Sequence, residues 1–222
     1  MKVNLISYSQ IARTSGGGIE KDLQELVAFC ARVSNPSNQS NKETSEKLIR
    51  YLIKNQHWSP LEMVSMCLEI ETTRDIARQM LRHRSFSFQE FSQRYANPVE
   101  DLDFVYREAR LQDTKNRQNS IETNDDYLQE RWESEQASVI LRAKQAYEWA
   151  IENGLAKEQA RVVLPEGLTV SRLYMNGTLR SWIHYIQLRS ANGTQKEHML
   201  IARKCAEVVA KVFPMAKEFT EN

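Results

Sequence analysis

The densest group of chemically useful side chains in the sequence lies in the run RHRSFSFQEFSQRY, residues 82–95. Three arginines, a histidine, three serines and a carboxylate stand within these fourteen residues. Arginine binds phosphate in a bidentate manner, and serine hydroxyls and loop amides add neutral donors. Glu90 can orient an arginine or accept a hydrogen bond from a sugar hydroxyl. The composition indicates a site for a phosphorylated ligand, although a solvated, salt-bridged helix end accounts for it equally well.

The spacing within this run resembles the signature of the flavin-dependent thymidylate synthase family. That signature is Arg-His-Arg, a serine three residues later and a Ser-x-Arg end, filled here by Arg82, His83, Arg84, Ser87, Ser92 and Arg94. Four further blocks resemble family blocks in the same order along the chain, at residues 31–34, 57–62, 161–165 and 177–182, the last followed by Leu188-Arg189. Five ordered blocks are far more specific than a single motif.

The resemblance implies an enzyme that methylates dUMP to dTMP. The implied cofactor is FAD, which NADPH reduces, and the implied carbon donor is 5,10-methylenetetrahydrofolate. The resemblance also implies a homotetramer whose active sites are shared between subunits. In this family the uracil is polarised electrostatically and a flavin hydride completes the methyl group.

Ordinary thymidylate synthases instead activate dUMP with a cysteine nucleophile in a Pro-Cys-His context. None of Cys30, Cys67 and Cys205 has those neighbours, so a cysteine mechanism is not expected. The three cysteines are also odd in number and far apart, which argues against a disulfide framework or a paired-cysteine metal site. Each is predicted to be a small packing residue, and no metal is expected.

The resemblance assigns contacts residue by residue. The positions that match flavin contacts are Ser34, Ser59, Arg82, His83, Arg84, Glu90, Thr178, Arg180 and His184, and His57 matches a histidine near the flavin and folate face. The positions that match dUMP contacts are Gln79, Arg82, Glu90, Phe91, Ser92, Gln93, Arg94, Arg161 and Arg189. Arg189 matches an arginine beside the uracil ring, where a fixed cation stabilises developing negative charge, and it is the predicted catalytic residue.

Several positions depart from the common family residues or have simpler explanations. Aromatic, histidine or asparagine residues that are frequent in the family are replaced here by Leu61, Met63, Gln89, Thr178 and Gly193. Without the family blocks, His57 and His184 are better explained as ordinary interfacial histidines. Ser92 is a tempting nucleophile, but no histidine or lysine adjoins it in sequence, so phosphate binding is the favoured role.

Charge and composition limit which other classes of protein fit this sequence. Lys+Arg of 30 against Asp+Glu of 29 gives a net charge of +1, so no basic excess favours nucleic acid as a partner. No apolar run reaches the ~20 residues of a membrane span, and no signal peptide is evident, so a cytoplasmic protein is expected. Two alternatives stay open. One is a homologue that has lost catalysis; the other is a nucleic-acid surface made of Arg82, Arg84, Arg94, Phe86, Phe88 and Phe91.

The elements that must position these residues follow from hydrophobic periodicity. Residues 1–8 predict a strand, and a triple glycine at 16–18 precedes a helix with apolar residues at Leu23, Leu26, Val27 and Cys30. The glycines lack the Lys-Ser/Thr of a P-loop, so a surface turn is favoured. A second helix is predicted from Thr44 to Asn55, with three side chains inward: Leu48, Tyr51 and Leu52.

Residues 63–72 alternate cleanly, which predicts a strand with one apolar face formed by Val64, Met66, Leu68 and Ile70. Thr72 with Asp75 is typical of a capping arrangement, and a helix follows toward Arg82. Residues 112–126 are predicted to be a solvated loop or the exposed start of a helix.

A long helix is then expected to end near Asn153-Gly154. A strand is predicted from three apolar residues, Leu168, Val170 and Tyr174, and a helix follows Thr178. Thr194 with Glu197 predicts a capping box for the last helix, which ends before Pro214. Strands grouped with non-repeating helices predict an α+β fold, a single domain over residues 1–222 with a small antiparallel sheet flanked by several helices.

Overall fold

A four-stranded antiparallel sheet lies at the centre of the fold, in a computed structural model that describes residues 1–10 and 22–220. The strands of the described chain are β1 (Lys2–Tyr8), β2 (Ser65–Thr73), β3 (Phe86–Glu90), β4 (Arg110–Gln112), β5 (Ser120–Glu122) and β6 (Val170–Thr178). The helices are α1 (Leu23–Ala31), α2 (Ser45–Lys54), α3 (Arg74–Met80), α4 (Pro98–Asp101), α5 (Asp126–Glu152), α6 (Lys157–Ala160), α7 (Leu179–Ser190) and α8 (Lys196–Val209). Short 3₁₀ helices span Pro36–Asn38, Ser59–Glu62, Arg161–Val163 and Pro214–Thr220.

The large sheet has the order β1-β2-β6-β3, and each neighbouring pair is antiparallel. The predicted alternation is confirmed on β2, because Met66, Leu68 and Ile70 are buried while the residues between them are half-buried. The buried face packs in one core with residues of α7 and α8. The predicted α+β fold is therefore confirmed, whereas the domain bounds of 1–222 stay a prediction.

Helix α7 ties the loop before β3 to this core. Trp182 of α7 is fully buried, and its Nε1 donates a hydrogen bond of 3.2 Å to the carbonyl of Met66. The ring of Phe86 lies edge-on to Trp182, with centroids 4.9 Å apart. A Cβ on Gly177 would lie 2.4 Å from Phe86 Cδ1, so this approach of the ring to the β6 backbone requires glycine. Phe86 thereby holds the preceding residues, 82–85, against α7.

Both predicted capping arrangements are wrong. The cap of α3 is Thr73 and makes no side-chain cap bond; Asp75 instead accepts from Arg107 at 2.8 Å. The cap of α8 is Gln195, also without a side-chain cap bond, and Glu197 pairs with Arg110. Each carboxylate has a charged partner from residues 107–110, and a charge-assisted hydrogen bond is stronger than a bond to a backbone amide.

Two local predictions are partly wrong. In α2, Leu52 is buried as expected, but Tyr51 is 55% exposed and Ile49 takes the inward position. Residues 112–126 are mostly exposed as predicted, yet β4 and β5 pair there as a two-stranded antiparallel hairpin. The hairpin was not predicted because its short strands bury no apolar face.

The remaining elements agree with the sequence. Helix α5 ends at Glu152 with Asn153 as its C-cap, and Gly154 takes a left-handed φ of 77° as a residue past a helix end should. Thr178 caps α7 by accepting from the backbone N–H of Ser181 at 3.3 Å. The triple glycine at 16–18 lies outside the described residues. Within the part of the chain that the structure describes, no helix has the length and apolar character needed to cross a membrane.

Candidate active site

The Arg-His-Arg segment forms a tight turn between α3 and β3. The backbone N–H of His83 donates to Met80 at 3.0 Å, and that of Phe86 donates to His83 at 3.2 Å. Arg82 and Arg84 consequently point away from the core and are exposed. Neither guanidinium pairs with a carboxylate among residues 1–10 and 22–220. Two adjacent, uncompensated guanidiniums suit an anionic ligand such as a diphosphate.

His83 and Arg189 meet although 106 residues separate them. Arg189 lies in the last turn of α7, and its Nε donates a hydrogen bond of 3.0 Å to His83 Nε2. Burial, with a smaller effect of the Arg189 cation, lowers the pKa of His83 to about 4. The imidazole is therefore neutral at physiological pH and accepts through Nε2. It fixes one edge of the guanidinium and leaves the two terminal nitrogens available.

Gln79 lies in the last turn of α3 and contacts a histidine, His198, that the sequence pattern does not indicate as a site residue. Gln79 Oε1 lies 3.2 Å from Nδ1 of His198, and the rings of His198 and His83 are 6.4 Å apart. His198 is fully buried. Burial, and after it the charge of Arg189, lowers its pKa to about 3. Helical spacing alone marks His198 only as one residue on the buried face of α8.

A second cluster forms a cavity of about 380 Å³, here called the arginine pocket, lined by Arg74, Arg78, Gln93, Glu158, Arg161, Val162, Leu164 and Glu166. Gln93 is 3% exposed, and its Nε2 has no hydrogen-bond partner. Arg161 has no carboxylate partner in the described chain. A buried N–H without an acceptor costs stability, so the pocket is suited to a ligand that accepts hydrogen bonds.

Arg74 and Arg78 belong to this pocket and were not predicted. Arg74 lies 3.6 Å from Glu90, and Arg78 pairs with Glu166 at 2.5 Å. The two arginines stand four residues apart on α3, so they share one helix face. That spacing, continued to Arg82, is the signal from which they could have been found.

Residues 90–94, at the end of the signature, lie beside the arginine pocket. Glu90 accepts a hydrogen bond of 2.7 Å from the hydroxyl of Ser171, which holds its carboxylate in place. Arg94 is exposed and contacts Glu158 at 3.2 Å. Ser92 Oγ accepts from the backbone N–H of Arg94 at 3.4 Å, and within the described residues no general base is bonded to this hydroxyl. Phe91 is half-buried, and its N–H donates to the backbone of β6.

Three other flavin-matching residues, Ser59, Arg180 and His184, belong to a separate patch at the start of α7. The rings of Trp58 and His184 lie in contact, with centroids 4.3 Å apart and a tilted interplanar angle of 50°. Arg180 is paired with Glu62 at 2.5 Å. Burial and the Arg180 charge lower the pKa of His184. Ser59 is exposed beside Trp58 and is open to a ligand.

Ser34 lines a different cavity from the residues of this patch. It lines a cavity of about 550 Å³ together with Tyr51, whose ring lies 6.0 Å from that of His57. Thr178 caps α7, so its hydroxyl already has a structural role. Gly193 has a left-handed φ of 89°, which a histidine would adopt only with strain. The positive φ of Gly193 thus gives a physical reason for the departure from the family pattern at that position.

An α+β fold that sets uncompensated arginines beside a neutral histidine defines a protein with a site for anionic ligands. The comparisons with known proteins are specific. The profile of a family described as "thymidylate synthase complementing protein" matches residues 19–215. A probable flavin-dependent thymidylate synthase of Paramecium bursaria Chlorella virus 1 is 50% identical over 191 residues, which cover 86% of this chain and 87% of the viral protein. The chain belongs to the flavin-dependent thymidylate synthase family.

Further similarities agree with this assignment. The flavin-dependent thymidylate synthase of Synechocystis sp. is 50% identical over 189 residues, which cover 85% of each chain. Among solved structures, the UMP/dUMP methylase PolB of Streptomyces cacaoi bound with 5-Br dUMP superposes with a TM-score of 0.80. It is 26% identical, and the match covers 98% of this chain and 93% of that protein.

Proposed function

We propose that this protein methylates dUMP to dTMP as a flavin-dependent thymidylate synthase, with 5,10-methylenetetrahydrofolate as carbon donor and NADPH as reductant. The observation that carries the proposal is the bond from Arg189 to neutral His83, because it lies beside Arg82 and Arg84 at the positions where the family signature expects the site. A positioned guanidinium of this kind can stabilise negative charge on a uracil ring.

The phosphate of dUMP fits the arginine pocket and the signature end beside it. Gln93 and Arg161 offer donors that have no side-chain acceptor among residues 1–10 and 22–220, and Ser92 and Arg94 lie at the rim. Glu90, held by Ser171, can accept from the sugar hydroxyl. This arrangement leaves Gln79 and Arg189 for the base. It explains why a monophosphate rather than a free nucleoside is the expected substrate.

FAD fits the exposed cations and the ring patch. Arg82 and Arg84 would hold its diphosphate, and His184 with Trp58 offers an aromatic surface. When bound, FAD supplies the hydride that completes the methyl group. The protein's own part is to bind the pyrimidine, to hold Arg189 through His83 and to stabilise charge on the base. Ser34, Ser59, Arg180 and His57 complete the proposed flavin and folate face.

We further propose a cytoplasmic homotetramer with shared active sites. Large apolar side chains stand exposed next to the substrate-binding arginines: Tyr95, adjoining Arg94, is 83% exposed, and Val162, adjoining Arg161, is 82% exposed. In a homotetramer with shared sites, we expect a neighbouring subunit to cover these two side chains. Size-exclusion chromatography with light scattering tests the subunit number.

Tritium release tests the activity directly. Protein supplied with FAD, NADPH, methylenetetrahydrofolate and dUMP tritiated at C5 should release tritium and form dTMP. Omission of FAD or NADPH should abolish both. A protein that binds dUMP and FAD but releases no tritium would instead be a homologue without catalysis. A colourless protein that binds single-stranded nucleic acid would favour the basic and aromatic surface of residues 82–94.

The cysteines provide a test of mechanism. Cys205 is fully buried, Cys30 and Cys67 are half-buried, and burial raises the pKa of all three thiols, which disfavours a nucleophilic thiolate. Each single change to serine should therefore keep turnover per bound FAD within roughly threefold of the parent. A folded, flavin-loaded serine variant that loses several orders of magnitude in dTMP formation would refute the non-cysteine mechanism.

A further inference from the structure

A continuous chain of side-chain hydrogen bonds runs from the start of α8 into the core. Gln195 Nε2 donates to Glu197 at 3.0 Å, and Gln79 Nε2 donates to Gln195 Oε1 at 2.8 Å. Gln79 Oε1 then contacts Nδ1 of His198 at 3.2 Å, and His198 Nε2 contacts the hydroxyl of Tyr185 at 3.2 Å. A chain of five side chains thus runs from the carboxylate of Glu197 to the phenol of Tyr185.

The direction of every bond in this chain follows from its first member. The Glu197 carboxylate pairs with Arg110 and lies 3.9 Å from Arg107, so its oxygens face two cations and accept hydrogen bonds. Gln195 must therefore turn its amide nitrogen toward Glu197 and its oxygen toward Gln79. Gln79 in turn must direct its nitrogen to Gln195 and its oxygen to the histidine.

The same reasoning sets the tautomer of the histidine. Because Gln79 Oε1 only accepts, His198 carries its hydrogen on Nδ1, and Nε2 accepts from the hydroxyl of Tyr185. His198 and Tyr185 are 0% and 1% exposed, so no water competes for these bonds. The low pKa of His198 agrees with a neutral ring.

We propose that His198 and Gln195 are positioning residues that lock the Gln79 amide in one orientation, so that Gln79 presents its remaining N–H to a carbonyl oxygen of the pyrimidine. This inference rests on the proposed function, in which Gln79 contacts the nucleotide. Gln79 is half-buried and stands one turn before Arg82, whereas His198 is enclosed. Locking a donor before the substrate arrives lowers the ordering cost of binding.

A double-mutant cycle on the FAD-loaded enzyme tests whether His198 acts through Gln79. His198→Leu and Gln79→Leu should each weaken dUMP binding by about tenfold, as expected for one or two hydrogen bonds. The double variant should bind dUMP no more weakly than Gln79→Leu alone, because the residue that His198 positions is already absent. FAD occupancy should be unchanged. Calorimetric titration with dUMP measures each dissociation constant.

Two matched variants separate positioning from general packing. Tyr185→Phe removes the other buried hydrogen bond of His198 and should leave the dUMP dissociation constant within about twofold while lowering the melting temperature. His198→Asn places an amide donor near the position of Nδ1 and should restore most of the affinity. If His198→Leu does not fold, Gln195→Leu, at a half-buried position, takes its place in the cycle.

The outcomes are distinct. Additive losses in the cycle, or a loss with Tyr185→Phe as large as that with His198→Leu, would overturn the positioning role. Failure of the parent enzyme to bind dUMP or release tritium would instead refute the proposed function. Because the parent is measured first, the two failures cannot be confused.

Discussion

Replacing Arg189 by alanine should leave a folded, flavin-binding protein whose turnover at saturating dUMP falls by about a hundred- to a thousandfold. The guanidinium is held through Nε by neutral His83, so its two terminal nitrogens are directed at a ligand rather than at a carboxylate of the protein. A positioned donor at developing negative charge has its full effect in the transition state. Steady-state dTMP formation, normalised to bound FAD, measures the loss.

The simpler explanation of Arg189 is a helix-end cation. It lies in the last turn of α7, where a positive charge stabilises a helix by about 0.3–1 kcal/mol. In that case Arg189→Ala lowers stability slightly and leaves turnover within about threefold of the parent, which would remove Arg189 from the catalytic role. Arg189→Lys is the informative companion, because the ammonium keeps the charge but lacks the planar fork and should restore little activity.

Removing Arg82 and Arg84 together should abolish FAD binding. Both side chains are exposed and neither pairs with a carboxylate in the described chain, so their charge is available to a diphosphate. Each phosphate contact is charge-assisted and contributes about 1.5–3 kcal/mol, so loss of both should weaken binding by at least a hundredfold. Visible absorbance of the purified protein and titration with added FAD measure the occupancy.

The matched control uses two other exposed arginines, Arg142 on α5 and Arg203 on α8. The double change Arg142→Ala with Arg203→Ala removes the same net charge from residues outside the family blocks. It should leave flavin occupancy intact. Full occupancy in the Arg82/Arg84 variant, or an equal loss in the control, would contradict the assignment of the Arg-His-Arg turn to FAD.

The spacing of apolar residues along the sequence was enough to predict which side chains of β2 and α7 are buried. The two-residue period of a strand sets which side chains of β2 are buried, and the helical spacing of Trp182, Ile183 and Ile186 sets the buried face of α7. The signature in residues 82–95 likewise predicts the candidate site from neighbouring residues, because its arginines and serines lie in the turn before β3, on β3 and directly after it.

Contacts between distant residues were decided only by tertiary packing. The sequence shows Arg189 and His83 as separate residues, and their bond exists because Phe86 packs onto Gly177 and Trp182 and so fixes the turn against α7. Charged partners from residues 107–110 likewise drew Asp75 and Glu197 away from the predicted caps. Because Glu197 pairs with Arg110 and does not cap α8, it is the first member of the hydrogen-bonded series that leads through Gln195 to Gln79. The periodicity of a strand or helix follows from its backbone geometry. The charged and hydrogen-bonded partners of Arg189, Asp75 and Glu197 depend instead on which elements the complete fold packs together.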